Sequence, residues 1–200
     1  MGSICCCDSG SGYRSDGREL CRVLELIFLD QTPMIMKRQI DLEEDIAKCE
    51  PGLMLGGVRD ETKYIVLHCS ATKPNQSYEV DQLIADHQSN GFYTAGYHFY
   101  VRRNGIIWQL RYTDEKGAHV QNHNHNSLGI CYEGGISKYN ECEDNMTAEQ
   151  EMAVWWLVNV LNRMYPGTKF LGHRDFAGVK KNCPCLDVKT KFADLCLNLV

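Results

Sequence analysis

The sequence predicts an α/β (α+β) domain with a central mixed β-sheet flanked by helices, and three observations carry that expectation. Thr62–His68 is β-branched and apolar on both faces, the pattern of a strand in the middle of a sheet. Asn104-Gly105 stands between two short apolar runs, a strong hairpin signal that implies an antiparallel pair. Thr147-x-x-Gln150 is a capping box that opens a long helix. The 200 residues, 44% hydrophobic and 24% charged, suffice for one folded domain and exclude a mostly disordered chain.

Residues 1–33 read as a tail. Met1-Gly2-Ser3-Ile4-Cys5-Cys6-Cys7 runs into Ser9-Gly10-Ser11-Gly12 with no sustained period. Gly2 with clustered cysteines shares features with a lipid anchor, but Cys6 stands where the myristoylation pattern wants Ser or Thr. The stretch is otherwise an upstream extension, if translation starts at Met34 or Met36. Within it, Leu24, Ile27 and Phe28 could form one apolar helical face over Val23–Leu29. Residues 34–61 form a lead-in segment, and residues 62–200 the domain proper.

After the first core strand, Ser77 opens a helical stretch with Val80, Leu83, Ile84 and His87 on one stripe, ended by Asn90-Gly91. Tyr97–Arg103 and Ile106–Leu110 are the hairpin strands, and Leu128–Glu133 is a further strand followed by Gly134-Gly135. The capped helix runs from Thr147 to about Tyr165, where Pro166-Gly167 closes it. Its Met152, Trp155, Trp156, Val158 and Leu161 lie at core spacing, so both tryptophans read as core. Lys169–Gly172 is a short strand, and Val188–Leu199 a final helix capped by Asp187.

Composition narrows the function classes. A net charge of -5 argues against a nucleic-acid partner. No run approaches eighteen uninterrupted apolar residues, so no transmembrane segment is expected. Eleven cysteines are an odd count that cannot pair completely within one chain. The first 22 residues mix acidic and basic side chains and carry no signal-peptide pattern. These points imply synthesis in a reducing cytoplasm, with most thiols free or metal-bound.

Three soft-metal ligands stand at element ends: His68 after the first strand, His173 after the short strand, and Cys183 in Lys181-Asn182-Cys183-Pro184-Cys185. Two imidazoles and one thiolate leave a tetrahedral zinc with an open position, as catalytic sites require. Cys185 competes with Cys183 for the thiolate role. His123 and His125 read as loop and strand-start residues, because a second adjacent site would compete with the first.

The blocks around these residues carry a family resemblance. His68-Cys69-Ser70-Ala71-Thr72-Lys73-Pro74, Gly96-Tyr97-His98-Phe99, Asn124-His125-Asn126-Ser127-Leu128-Gly129-Ile130, Gly134-Gly135-Ile136 and Lys181-x-Cys183-Pro184 follow one another in order. In these blocks, from about residue 62 to 192, the chain resembles the zinc-dependent N-acetylmuramoyl-L-alanine amidases of the amidase-2 and peptidoglycan-recognition family, phage lysozyme-like members in particular. The resemblance implies one Zn2+ per chain held by His68, His173 and Cys183, with Tyr97 and Lys181 as catalytic residues beside a zinc-activated water. It places His119 and Asn126 at the substrate cleft, although a loop histidine explains His119 equally well. The implied activity is cleavage of the amide between N-acetylmuramic acid and L-alanine of peptidoglycan by a monomeric phage or prophage endolysin, made in the cytoplasm and acting on the wall after release. The alternative is a non-catalytic peptidoglycan-binding recognition module; binding-only relatives typically lose the thiolate that Cys183 retains. Two departures accompany the match: Leu186 replaces an aromatic, and the His173–Cys183 loop is slightly longer.

Overall fold

The computed structural model describes residues 46–48 and 56–197. The tail, its Val23–Leu29 face and the remainder of the lead-in segment lie outside the described residues. A six-stranded sheet organises the rest, built from β1 (Ile46–Lys48), β2 (Tyr64–Cys69), β3 (Phe99–Val101), β4 (Ile107–Gln109), β5 (Ser127–Tyr132) and β6 (Lys169–Gly172). Its order is β1-β4-β3-β5-β2-β6. Only β3 and β4 pair antiparallel; every other neighbouring pair is parallel, so the sheet is mixed as expected. The sheet also takes in part of the lead-in segment, because β1 pairs with β4; Arg59 of the same segment is buried without belonging to a strand.

Strand β2 lies between β5 and β6, which explains why its sequence is apolar on both faces. Ile65, Leu67 and Cys69 enter the larger core, with Leu128, Ile130, Tyr132 and Phe170 from neighbouring strands. Helix α2 (Ala148–Met164) covers this face with Val154, Trp156, Leu157, Val158, Val160 and Leu161. Both reciprocal bonds of the Thr147/Gln150 capping box are made, and the Gln150 amide also donates to the buried carbonyls of Val101 and Glu133. The cap thus anchors the helix to the sheet as well as starting it.

Helix α1 (Val80–Ser89) packs on the opposite side, where Val80 and Leu83 join Tyr78, Ala95, Tyr100, Leu110 and Cys131. The hairpin between β3 and β4 differs in detail from a two-residue turn. Gly105 takes a φ of 83° while Asn104 does not turn positive, and the Gly105 amide donates to the Arg102 carbonyl. This is the three-residue form with a left-handed glycine after a tight turn.

Two expectations about the helices need correction. Trp156 is buried, but Trp155 and Met152 are 39% and 59% exposed; they sit on the flank of α2, with Trp155 Nε1 donating to Asp194 at 2.5 Å. The final helix is broken into α3 (Val188–Lys191) and α4 (Ala193–Leu197). Phe192, between them, is buried against Phe170 with ring centroids 5.6 Å apart. Directing that ring into the core takes its backbone out of helical geometry, at φ -121° and ψ 45°. Asp187 caps α3 as expected, accepting from the Thr190 amide at 2.8 Å.

Candidate metal centre

Successive side chains of a strand alternate between faces, so His68 points away from α2, on the side of Tyr64 and Val66. It stands one residue before the carboxyl end of β2. His173 opens a 3-10 turn directly after β6, the strand parallel to β2. Cys183 arrives on the following loop, which closes tightly onto β6. A Cβ on Gly172 would lie 2.9 Å from the Pro184 ring, so only glycine lets the loop approach this far. The Arg174 amide donates to the Cys183 carbonyl at 2.8 Å, and the Tyr132 hydroxyl donates to the Pro184 carbonyl at 2.7 Å.

The result is a cluster in which one donor atom each of His68, His173 and Cys183 lies within 4.8 Å of the others. His68 Nδ1 is 3.7 Å from Cys183 Sγ, and the His68 and His173 rings are 4.6 Å apart. His68 is buried, while His173 and Cys183 are half-exposed, so the cluster opens to solvent on their side. Burial, reinforced by His119 and His173, holds the His68 imidazole well below its ordinary pKa. Burial and then the Lys181 charge lower that of His173. Both rings are therefore neutral at pH 7, the form that offers a lone pair to a metal.

The Cys183 thiol is pushed up by its hydrogen bond with the Cys69 thiol and by burial. A divalent cation reverses that preference outright. The Cys69 amide, 3.4 Å from Cys183 Sγ, is placed to donate to the resulting thiolate. Two neutral imidazoles and a thiol with an amide donor fit zinc with a position left for a non-protein ligand.

Tyr97 and Lys181 flank the cluster. The Tyr97 ring is 5.0 Å from that of His68, and burial followed by the Cys131, Cys183 and Cys69 thiols pushes its phenol well above the usual value. Lys181 is exposed, and its charge reaches His173. His119 lies behind His68, with Nδ1 3.0 Å from His68 Nε2.

Asn126 is not brought to the cluster. It sits just before the Tyr64↔Ser127 pair, whereas His68 pairs with Cys131, which puts its backbone roughly 16 Å away along β5. His123 packs against Tyr64 and Phe176, clear of the cluster as expected.

Cys185 is removed as a competing ligand. It is disulfide-bonded to Cys142, with Cα atoms 5.2 Å apart. This pairing is made because the Cys183–Cys185 loop comes against the segment after Gly135 and brings two sequence-distant cysteines together. Cys69, Cys131, Cys183 and Cys196 are free among the described residues.

Sequence reasoning assigned no role to Cys69, Ser127 or Arg111. Arg111 is buried and its Nε donates to the Ala95 carbonyl at 2.6 Å, while Nη1 bonds Glu115 at 2.6 Å. That pair ties the approach to Tyr97 to the loop carrying His119. The sequence shows only an arginine four residues before a glutamate, and that both are buried is a fact of the fold. A separate groove of about 460 Å³ lined by Met152, Trp155 and Phe192 lies between α2 and the C-terminal helices and contains none of these groups.

A mixed sheet with a His–His–Cys cluster at the carboxyl ends of two parallel strands defines an α/β protein with a candidate soft-metal centre. Comparison with known proteins is more specific: the chain belongs to the N-acetylmuramoyl-L-alanine amidase family (amidase-2), whose family model matches residues 59–185. It is 36% identical over 131 residues to the endolysin of Enterobacteria phage K11, covering 66% of this chain and 85% of that protein. In structure it resembles the amidase endolysin LysCS from Clostridium intestinale, with a TM-score of 0.61 at 21% identity over 75% of this chain and 94% of that one. The Ph2119 endolysin of a Thermus scotoductus bacteriophage gives a TM-score of 0.61 at 22% identity, over 75% and 97%. Among the described residues, no helix is long and apolar enough to cross a membrane.

Proposed function

We propose that this chain is a zinc-dependent peptidoglycan amidase of the endolysin type, cleaving the bond between the lactyl group of N-acetylmuramic acid and L-alanine. The observation that carries the reading is the convergence of His68, His173 and Cys183 within 4.8 Å, open to solvent and flanked by a phenol and an ammonium. Bound there, zinc supplies Lewis acidity, lowering the pKa of water and polarising the scissile carbonyl.

The chain's own groups do the rest. His68, His173 and Cys183 hold the cation. Tyr97, half-buried beside His68, holds the attacking water by its hydroxyl and hands on the proton toward the leaving amine. Lys181 brings positive charge to the open side, where negative charge develops on the carbonyl oxygen as the tetrahedral centre forms. Burial of His68 and of the wall behind it limits water to the open side.

The test is digestion of purified peptidoglycan with and without a chelator, with end groups identified by mass spectrometry. Chelator-sensitive release of stem peptides with a free L-alanine amine is the expected result. Binding to peptidoglycan with no new end groups would instead identify a recognition module.

A further inference from the structure

Behind the metal cluster, three polar side chains form a chain whose protons can be assigned one by one. Ser127 Oγ lies 2.6 Å from the His123 carbonyl, which can only accept, so the serine proton is committed there. His119 Nε2 lies 3.4 Å from the same Oγ, which now offers only lone pairs, so Nε2 must carry the proton of this imidazole. A neutral imidazole has one N–H, so His119 Nδ1 is bare and accepts. Its partner at 3.0 Å is His68 Nε2, which must therefore be the donor. That leaves His68 Nδ1 as a free lone pair, and this is the nitrogen facing Cys183 Sγ. Reversing the assignment would set lone pair against lone pair at Ser127 and aim an N–H at the metal position.

We propose that His119, keyed by Ser127, is a positioning residue that fixes the tautomer of His68 and presents Nδ1 to the metal, rather than a residue that touches substrate. This inference rests on the zinc reading above and adds to it the outer partner that the ligand His68 requires.

The surroundings of His119 are shaped to hold this ring. A Cβ on Gly129 would lie 2.7 Å from His119 Cγ, and one on Gly117 would lie 2.6 Å from its Cδ2, so both positions are open only because they are glycine. Its backbone is fixed on two sides: Asn124 Oδ1 accepts the His119 and Val120 amides at 2.8 and 2.9 Å, and the Ala118 amide donates to the Gly96 carbonyl at 2.9 Å. His119 is 8% exposed, and both of its ring nitrogens are occupied by protein.

The experiment titrates the metal-free full-length chain with Zn2+ against a chromophoric chelator, for wild type, His119→Ala, His119→Gln and Ser127→Ala. Nitrogen-15 NMR of the histidine rings in the zinc-loaded wild type reads the tautomers directly. The expected results are a His68 protonated at Nε2 and ligating through Nδ1, and a zinc affinity lowered about 10–100-fold by His119→Ala. Ser127→Ala should give a smaller loss. His119→Gln, whose side-chain oxygen can accept the His68 proton, should recover part of the affinity. Wild-type affinity in both His119→Ala and Ser127→Ala, or a His68 that ligates through Nε2, overturns the proposal. If His119→Ala fails to fold, Ser127→Ala and the wild-type tautomer decide it. Zinc uptake by wild type with unaffected variants overturns this inference alone, whereas a wild type that takes up no zinc overturns the metal reading as well.

Discussion

Strand β2 carries two unlike faces. Ile65 and Leu67 point into a core closed by α2, where contacts are apolar and interchangeable within limits of volume. Tyr64, Val66 and His68 point the other way, and there the sheet is lined by His119, His98, Ser127 and Gly129, joined by directed hydrogen bonds. The first face is stabilised by area removed from water, which has no preferred direction. The second contributes less apolar area, and its groups must each find a particular partner. Stability should therefore reside mainly on one face and activity on the other.

The sharpest break in that comparison comes from the ligands. Cys183→Ser or His173→Ala should lower peptidoglycan hydrolysis by about 10³-fold or more while leaving the melting temperature of the metal-free chain near wild type. Parallel loss of fold and activity would show that the two faces are not separable.

The opposite test is Leu157→Ala on α2, at a side chain 1% exposed. It should cost about 2–5 kcal/mol of stability through the cavity it leaves, with turnover of the folded fraction unchanged. Denaturant unfolding together with hydrolysis at low temperature measures both.

Tyr97→Phe and Lys181→Ala sharpen the picture within the functional face. Each should retain zinc and slow hydrolysis by about 10²-fold, as befits groups acting on proton transfer or developing charge. Metal analysis beside the rate measurement checks the split, and wild-type turnover in the double variant would make both mere neighbours.

The smallest effect expected concerns pH. His98 Nδ1 accepts the Gly129 amide at 3.0 Å and Nε2 meets the Glu115 carbonyl at 2.8 Å, so the folded state needs the neutral ring. Burial, reinforced by the neighbouring His119 imidazole and the Arg59 charge, holds its pKa well below 6.5. The unfolded chain takes up that proton near 6.5 while the folded one does not, so stability falls as pH drops through 6.5 and continues to fall below it. Thermal melts of the metal-free chain between pH 7 and 5 should show a progressive decrease, and a flat profile would mean that the directed bonds of this face contribute little.

The elements that local chemistry specifies were legible in the sequence: the two-faced apolar run of β2, the Thr147/Gln150 cap, the glycine of the hairpin, and Asp187 before α3. The ligand set was legible only through resemblance of ordered blocks, because His68, His173 and Cys183 are far apart in the chain. Trp155 was misplaced because helical spacing marks a stripe without saying how wide the covered part is. The break at Phe192 was missed because a short helical pattern does not show that one ring must turn into the core.

By itself, then, the sequence determined which segments form strands and helices, and which side chains could bind a metal, since propensity, capping and donor chemistry are properties of neighbouring residues. The tertiary structure alone decided which of two nearby cysteines stays free, by pairing Cys185 with Cys142 across 43 residues. It also decided that His119 stands behind His68 rather than in the open cleft. Such facts depend on which distant groups the folded sheet brings within hydrogen-bond or disulfide distance, and no local pattern encodes that proximity.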